Sequence, residues 1–256
     1  MGKKNLLIIG DTIIDHDIYS EAIGLSLESP TLKTVFVKEN FDFGGASKVA
    51  TYASIFGANV TFISSMTKKM AQQYISNNKV ELLNVVSKRD TIKTRNYISN
   101  GDNTYNYLQI NKLNNTCCKV SFIKDLDFKK FDLVAISDYR AGLISVNLIN
   151  KIRQYAKVFF AASQLSDKDP NYKNYVNADY LVCNENEALH LKNLHNVYIT
   201  LGEKGCSFNG KIYPGKSVKV EKTIGAGDIF YAALLATGSP QTANELSSKY
   251  VAGEFF

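Results

Sequence analysis

The chain of 256 residues contains no tryptophan, three histidines and four cysteines. Its histidines stand at no metal-ligand spacing, which argues against a structural zinc site. Cys117, Cys118, Cys183 and Cys206 form no C-x-x-C pair, and two adjacent cysteines make a poor disulfide framework. Reduced, mostly structural thiols are expected, in keeping with a cytoplasmic location. No apolar run approaches the roughly 18 residues of a membrane-spanning helix. The apolar stretch 6–9 is too short for a signal sequence, and Asp11 and Asp15 follow it where a small-residue cleavage site would stand. It reads as a first buried strand, and no membrane partner is expected. The sequence also lacks the interleaving of basic and aromatic residues that binds RNA, and the lysines behind its net charge of +6 are scattered. No nucleic-acid partner is expected; mild positive charge suits a protein that meets small anions. With neither repeats nor a low-complexity linker, the expectation is one domain over residues 1–256.

What is present is an alternation of short apolar runs and helical segments, the pattern of a parallel sheet covered by helices. Residues 6–10, 60–64, 133–137, 158–162, 180–183 and 197–201 read as buried strands. Residues 46–56, 147–155 and 185–192 read as helices, the first capped by Gly57. Two regions break this alternation. Residues 31–39 alternate β-branched and polar side chains, and 93–110 do so about the turn Asn100-Gly101-Asp102-Asn103, whose residues tolerate positive φ. These predict a half-exposed antiparallel sheet outside the main one, a small lid over a site on it.

The most informative string is Thr223-Ile224-Gly225-Ala226-Gly227-Asp228, opening a helix predicted over 228–236. Small residues there leave backbone N–H groups approachable at the positive end of a helix dipole, which suits an anion. Asp228, next in line, has the chemistry to take a proton from an attacking hydroxyl. The competing reading is an ordinary glycine-rich helix start. Upstream, Asn184 and Glu187 sit three apart at a helix start, where they either hold Mg²⁺ through water or simply cap the helix. Thr200, Gly202 and Gly205 follow a strand end, as a nucleotide-bordering turn or a plain one. At the front, Asp15 follows the carboxyl end of the first strand, where open α/β sheets bind ligands. Gly44-Gly45 precede a helix that carries Lys48. The segment 205–212 nearly fits a P-loop, but Ile212 lacks the hydroxyl that binds Mg²⁺, and its flanks predict strand–turn–strand.

In this order the motifs resemble the ribokinase-like (PfkB) carbohydrate kinases, from Gly10 to about Ala236. The resemblance implies a three-layer α-β-α, Rossmann-like ribokinase fold with a mostly parallel central sheet and a small β lid, here about residues 16–43 and 90–111. It implies an ATP- and Mg²⁺-dependent phosphotransferase with Asp228 as base and Gly225, Ala226 and Gly227 as anion hole. Asn184 and Glu187 would organise Mg²⁺ and phosphates, and Thr200, Gly202 and Gly205 would border the nucleotide. Asp15, Gly44 and Gly45 would face a sugar or sugar phosphate. The stretches 24–30, Lys93-Thr94-Arg95 and Ser137-Asp138-Tyr139-Arg140-Ala141-Gly142 are most similar to the heptose 7-phosphate kinases. A phosphorylated substrate needs cationic anchors, and Lys48, Arg95 and Arg140 are candidates, with Asp138 beside them. The chain departs from the family pattern at Lys222, where an acidic residue contributes to a cation site, at Lys48, where Asn is usual, and at Ala162, where an acidic residue is usual. Only residues 229–256 follow Asp228, short for completing an adenine pocket. A nucleoside kinase of the same fold and a catalytically impaired pseudokinase are the alternatives. Exposed lid strands favour a partner edge, so a homodimer through the lid is a further expectation.

Overall fold

The computed structural model describes residues 2–101, 103–164, 171–191 and 195–255. Thirteen strands are assigned among them. The first seven are β1 (Asn5–Gly10), β2 (Thr12–Leu25), β3 (Leu32–Gly45), β4 (Asn59–Met66), β5 (Glu81–Val86), β6 (Ile92–Asn100) and β7 (Asn103–Lys112). Then come β8 (Leu133–Asp138), β9 (Phe159–Ser163), β10 (Tyr180–Asn184), β11 (Val197–Thr200), β12 (Cys206–Phe208) and β13 (Lys211–Tyr213). The α-helices are α1 (Ala46–Ile55), α2 (Lys68–Asn77), α3 (Val146–Tyr155), α4 (Glu185–Ala188), α5 (Ala226–Thr237) and α6 (Pro240–Val251).

Nine strands form a central sheet in the order β13-β12-β11-β10-β9-β8-β1-β4-β5, parallel except where β12 and β13 fold back. Period-two alternation explains how it is covered. Leu6 and Ile8 of β1 join one core with α1, α2, α5 and α6, while Leu7 and Ile9 join a second core with α3. Each fully buried aliphatic side chain contributes about 2 kcal/mol. Helix α5 is apolar nearly all round, buried from Ile229 to Leu235, because it lies against α1 and α6 as well as the sheet.

The second sheet, ordered β3-β2-β6-β7, is the lid. It is mixed rather than antiparallel: β2 and β6 run parallel and each pairs antiparallel with its own hairpin partner. The predicted helix at 185–192 ends as α4 at Ala188, where His190 and Leu191 bond back three residues in tight turns; Lys192 lies outside the described residues, as does Asp102 of the hairpin turn. Gly57 follows the cap residue Phe56 with φ of 99°, which closes α1 as a left-handed glycine does. Helices α2 and α6 and strand β5 were not anticipated. Strands β12 and β13 form the expected strand–turn–strand, with Asn209 and Gly210 both at positive φ.

Candidate active site

The carboxyl ends of β8, β9, β10 and β11 meet the N-terminus of α5 around a cavity of ≈ 180 Å³. Of the residues singled out in the sequence, Asp138, Asn184, Glu187, Thr200, Gly227 and Asp228 line it. A second cavity of ≈ 320 Å³ adjoins, sharing Thr200 and Gly227 and bounded by Gly202, Gly205, Ala226 and residues of α6. Gly225 caps α5 with φ of 90°, a conformation in which other residues are strained, and Asp228 follows in the helix's first turn. The arrangement puts a carboxylate on the wall of the smaller cavity and the N-terminus of α5 between the two.

The Asp228 carboxyl titrates well above the ordinary carboxylate range. Burial pushes its pKa up to about 6; a hydrogen bond donated by the Tyr139 hydroxyl opposes the rise, as does Lys48, while Asp15 adds to it. Burial, reinforced by Asp228, raises the Tyr139 phenol well above its ordinary range, so it remains a neutral donor. Tyr139 is the cavity residue most plainly missed by sequence reasoning, which took its neighbours Asp138 and Arg140 instead. Its loop is held by Asp11, whose carboxylate accepts backbone N–H groups of Tyr139 (3.0 Å), Ala141 (3.2 Å) and Leu143 (3.1 Å). Asp138 borders the cavity, but its carboxylate already accepts from Arg140 N–H (2.8 Å), Ser163 (3.1 Å), Asn171 (3.2 Å) and Tyr175 (2.6 Å). Arg140, at φ of 59°, is not among the described residues lining either cavity. As a base, the role expected of it from sequence, Asp228 would have to be ionised, and activity is then expected to fall below about pH 6. Tyr139→Phe removes a bond that favours the carboxylate, and is expected to move this acidic limb of kcat/KM to higher pH; an unmoved limb would contradict it.

The lid contributes a charged row. Strand pairing sets Asp15 opposite Lys93 and Asp42, and Asp17 opposite Arg95. Gly44 makes room for this row, since a Cβ there would lie 2.1 Å from the Asp15 carboxylate. Gly45, at φ of 63°, lets the chain turn into α1 where a Cβ would lie 2.7 Å from the Asp11 carbonyl oxygen. Both glycines act through the space they leave. Arg95, proposed from sequence as a phosphate anchor, is buried between Asp15 (3.0 Å) and Asp17 (3.1 Å), where it holds Asp15 in place. Lys93 lies nearer the chemistry: burial and Arg95 lower its pKa, while Asp15 and Asp228 oppose that shift.

On the opposite side Asn184 and Glu187 form a reciprocal capping box, each side chain bonded to the other's backbone N–H at 2.9 Å. The capping reading is therefore realised, and both residues border the cavity as well. Carboxylate and amide oxygens suit Mg²⁺. Among the described residues no cluster of three His, Cys, Asp or Glu side chains forms a metal cage. Any Mg²⁺ would thus be held through water and the donor's phosphates, with Glu187 nearby. Gly205 serves its own turn, because a Cβ there would lie 2.2 Å from the Tyr213 carbonyl. Lys222 stands with its ammonium 3.9 Å from Asp42. No helix among the described residues is long and apolar enough to cross a membrane.

Comparison with known proteins gives this geometry a lineage. The model of the pfkB family carbohydrate kinases matches residues 3–239. The bifunctional protein HldE of Campylobacter jejuni subsp. doylei is 25% identical over 264 residues, covering 91% of this chain and 56% of that protein. The chain thus spans little more than half the length of the curated relatives it matches. Among solved structures, phosphofructokinase-2 of Escherichia coli in complex with fructose-6-phosphate superposes with a TM-score of 0.71 at 14% identity, covering 98% of this chain and 94% of that one. A pyrophosphate-dependent kinase in the ribokinase family gives 0.63 at 16% identity, covering 96% and 94%. These two likenesses establish the α/β ribokinase fold with its separate lid sheet. The family match runs through β1 and the lid and past the helix that carries Asp228, so more than a fold is shared: the chain belongs to the pfkB family of carbohydrate kinases.

Proposed function

We propose that the chain transfers the γ-phosphoryl group of ATP to a hydroxyl of a sugar phosphate, with heptose 7-phosphate the first acceptor to try. The observation that carries this is Asp228, in the first turn of α5 on the wall of the smaller cavity and within electrostatic reach of Asp15 and Lys93 of the lid. The acceptor oxygen forms a bond to phosphorus as the bond from phosphorus to the bridging oxygen breaks; Asp228 takes the acceptor's proton and ADP departs. Backbone N–H groups from Gly225 to Gly227 would meet the transferring group. Bound Mg²⁺ would neutralise charge on the donor phosphates, with Glu187 holding it through water and Asn184 orienting the cap. The ≈ 320 Å³ cavity bounded by Gly202, Gly205 and α6 supports a nucleoside-bearing donor over bare pyrophosphate. ATP as donor would put the reaction in the cytoplasm.

Lys93, close enough to Asp228 to feel its charge, supports an anionic acceptor over a nucleoside. The sequence resemblance to heptose 7-phosphate kinases narrows this further. The test is ADP release with MgATP over heptose 7-phosphate, fructose phosphates, ribose and nucleosides, with pyrophosphate as a rival donor. Turnover on nucleosides alone, or with pyrophosphate alone, would replace this reading. Nucleotide binding without turnover on any acceptor would favour the pseudokinase, to which Ala162 in the cavity wall lends support.

A homodimer through the lid belongs to the same proposal. Val35, Phe36, Val37, Tyr105, Tyr107 and Leu108 leave apolar surface exposed on its outer strands β3 and β7. Light scattering is expected to give twice the chain mass, and Phe36→Asp is expected to give a monomer. A monomeric wild type at micromolar concentration would end this part of the reading.

A further inference from the structure

We propose that Lys48 is a further catalytic residue: an ammonium fixed against the Gly225 turn that contacts the transferring phosphoryl group. The inference rests on the phosphoryl-transfer reading above and assigns to Lys48 a different task from the substrate anchor suggested by sequence.

Lys48 is an unusual residue for its position. It lies in the first turn of α1, where the helix dipole disfavours a cation, and its side chain is only 5% exposed. An ammonium removed from water needs compensation from partners. Two are present: the Asp42 carboxylate at 2.9 Å and the Tyr250 hydroxyl at 3.4 Å. An ammonium carries three donors. The third has no acceptor among the described residues.

Its surroundings say where an acceptor would sit. A Cβ built on Gly225 would lie 3.3 Å from the Lys48 nitrogen and 3.0 Å from its Cδ, so the end of the side chain rests against the turn that opens α5. Tyr250, while accepting from Lys48, donates to the Ile224 carbonyl at 2.9 Å and so ties the ammonium to the same turn. Lys222 sets a second ammonium 3.9 Å from Asp42, and both lysines lie over the Tyr250 ring, at 5.9 Å for Lys48 and 5.6 Å for Lys222. Lys48 borders a separate cleft of ≈ 240 Å³ beside Tyr52 and Asn78 and is not among the described residues lining the two cavities at α5, so its link to the site is through the Gly225 turn.

The charge is permanent. Burial works against it, but Asp42, Tyr250 and Asp15 outweigh burial and leave its pKa above the ordinary lysine value. It is also felt at the base, where it favours the Asp228 carboxylate. During transfer the acceptor's proton goes to Asp228, the bond from phosphorus to the ADP oxygen breaks, and Lys48 keeps its own proton while it stabilises the equatorial oxygens. Lys48 and Tyr250 together leave little space at position 225 for any side chain, which fits the glycine found there.

The test compares wild type with Lys48→Ala and with Lys48→Met, which keeps the stem and hence the packing. With MgATP and the acceptor found active above, kcat is expected to fall about 10²-fold in both, with acceptor KM within about twofold of wild type. Methylammonium is expected to restore part of the Lys48→Ala rate saturably, and none of the Asp228→Asn rate. Calorimetry supplies a reading independent of turnover: ADP with aluminium fluoride should bind each Lys48 variant at least tenfold more weakly than wild type, and ADP alone equally well. A raised acceptor KM at unchanged kcat would make Lys48 a substrate anchor and overturn the proposal. Unchanged kcat and unchanged fluoride-complex affinity would overturn it while leaving the kinase reading intact. Wild-type inactivity toward every acceptor would overturn both.

Discussion

Asp228→Asn is expected to lower kcat by about 10²- to 10⁴-fold, the contribution of a positioned general base. The amide retains the shape of the carboxylate and still accepts the hydrogen bond from Tyr139, so the cavity should keep its form. What it loses is basicity. The stability of the variant separates this from damage to the fold. Burial raises the folded-state pKa of Asp228 from 3.8 to about 6, so the folded protein binds this proton more tightly than the unfolded chain does. Its contribution to stability is then fully present below the unfolded pKa and is lost as pH rises through about 6. At pH 8 the wild type carries an ionised, desolvated group that the variant lacks. Removing an acidic residue from a helix's first turn opposes this by about 0.3–1 kcal/mol. Thermal unfolding at pH 8 should therefore show the variant as stable as wild type or more so. Retention of wild-type turnover within tenfold would remove Asp228 from its assigned role.

Gly10→Ala is expected to cost about 3 kcal/mol or more, the upper end for overpacking, because neither neighbour can yield. A Cβ at this position would lie 2.2 Å from the Ser137 carbonyl oxygen of β8 and 2.5 Å from Ala46 Cβ at the start of α1. One neighbour is sheet backbone and the other a helix end, so relief requires moving an element. For a chain of this size that corresponds to a fall in Tm of about 6–12 °C. The damage should reach the site as well. The Gly10 carbonyl accepts from Ser64 at 2.7 Å, and Asp11, next along, holds the loop of Tyr139. Differential scanning calorimetry checks the first effect, and kcat of the surviving folded fraction checks the second. A change in Tm below about 2 °C would show that β1, β8 and α1 are less tightly packed here than these distances require.

The strands of the central sheet were legible because buried parallel strands are continuous apolar runs, and 6–10 and 133–137 are clear examples. Helix α6 was not legible: its apolar positions are few, and its start at Ser239-Pro240 is recognisable only by its cap. Strand β2 was only partly visible because it passes from buried to half-exposed along its length, which blurs its alternation. The mixed pairing of the lid was invisible for a different reason. Alternation reports which face a residue occupies, not which strand lies beside it.

The same division holds at the site. Local sequence determined that a glycine-opened helix carries an acidic residue in its first turn, and that Asn184 and Glu187 stand at another helix start. Both depend on residues adjacent in the chain, whose types set backbone conformation directly. Which charges meet which was decided by tertiary structure alone. Arg95 and Lys93 are two residues apart and share a face of β6, yet the ion pairs give Arg95 to both Asp15 and Asp17, although register sets Asp15 opposite Lys93, and Lys93 is left under the influence of Asp15 and Asp228. Tyr139 and Asp228 are 89 residues apart, and Lys48 and Tyr250 are 202 apart. Electrostatic and hydrogen-bond energies depend on distance in space, which the order of residues does not specify, and only the packing of α1 and the β8 loop around α5 created these pairs.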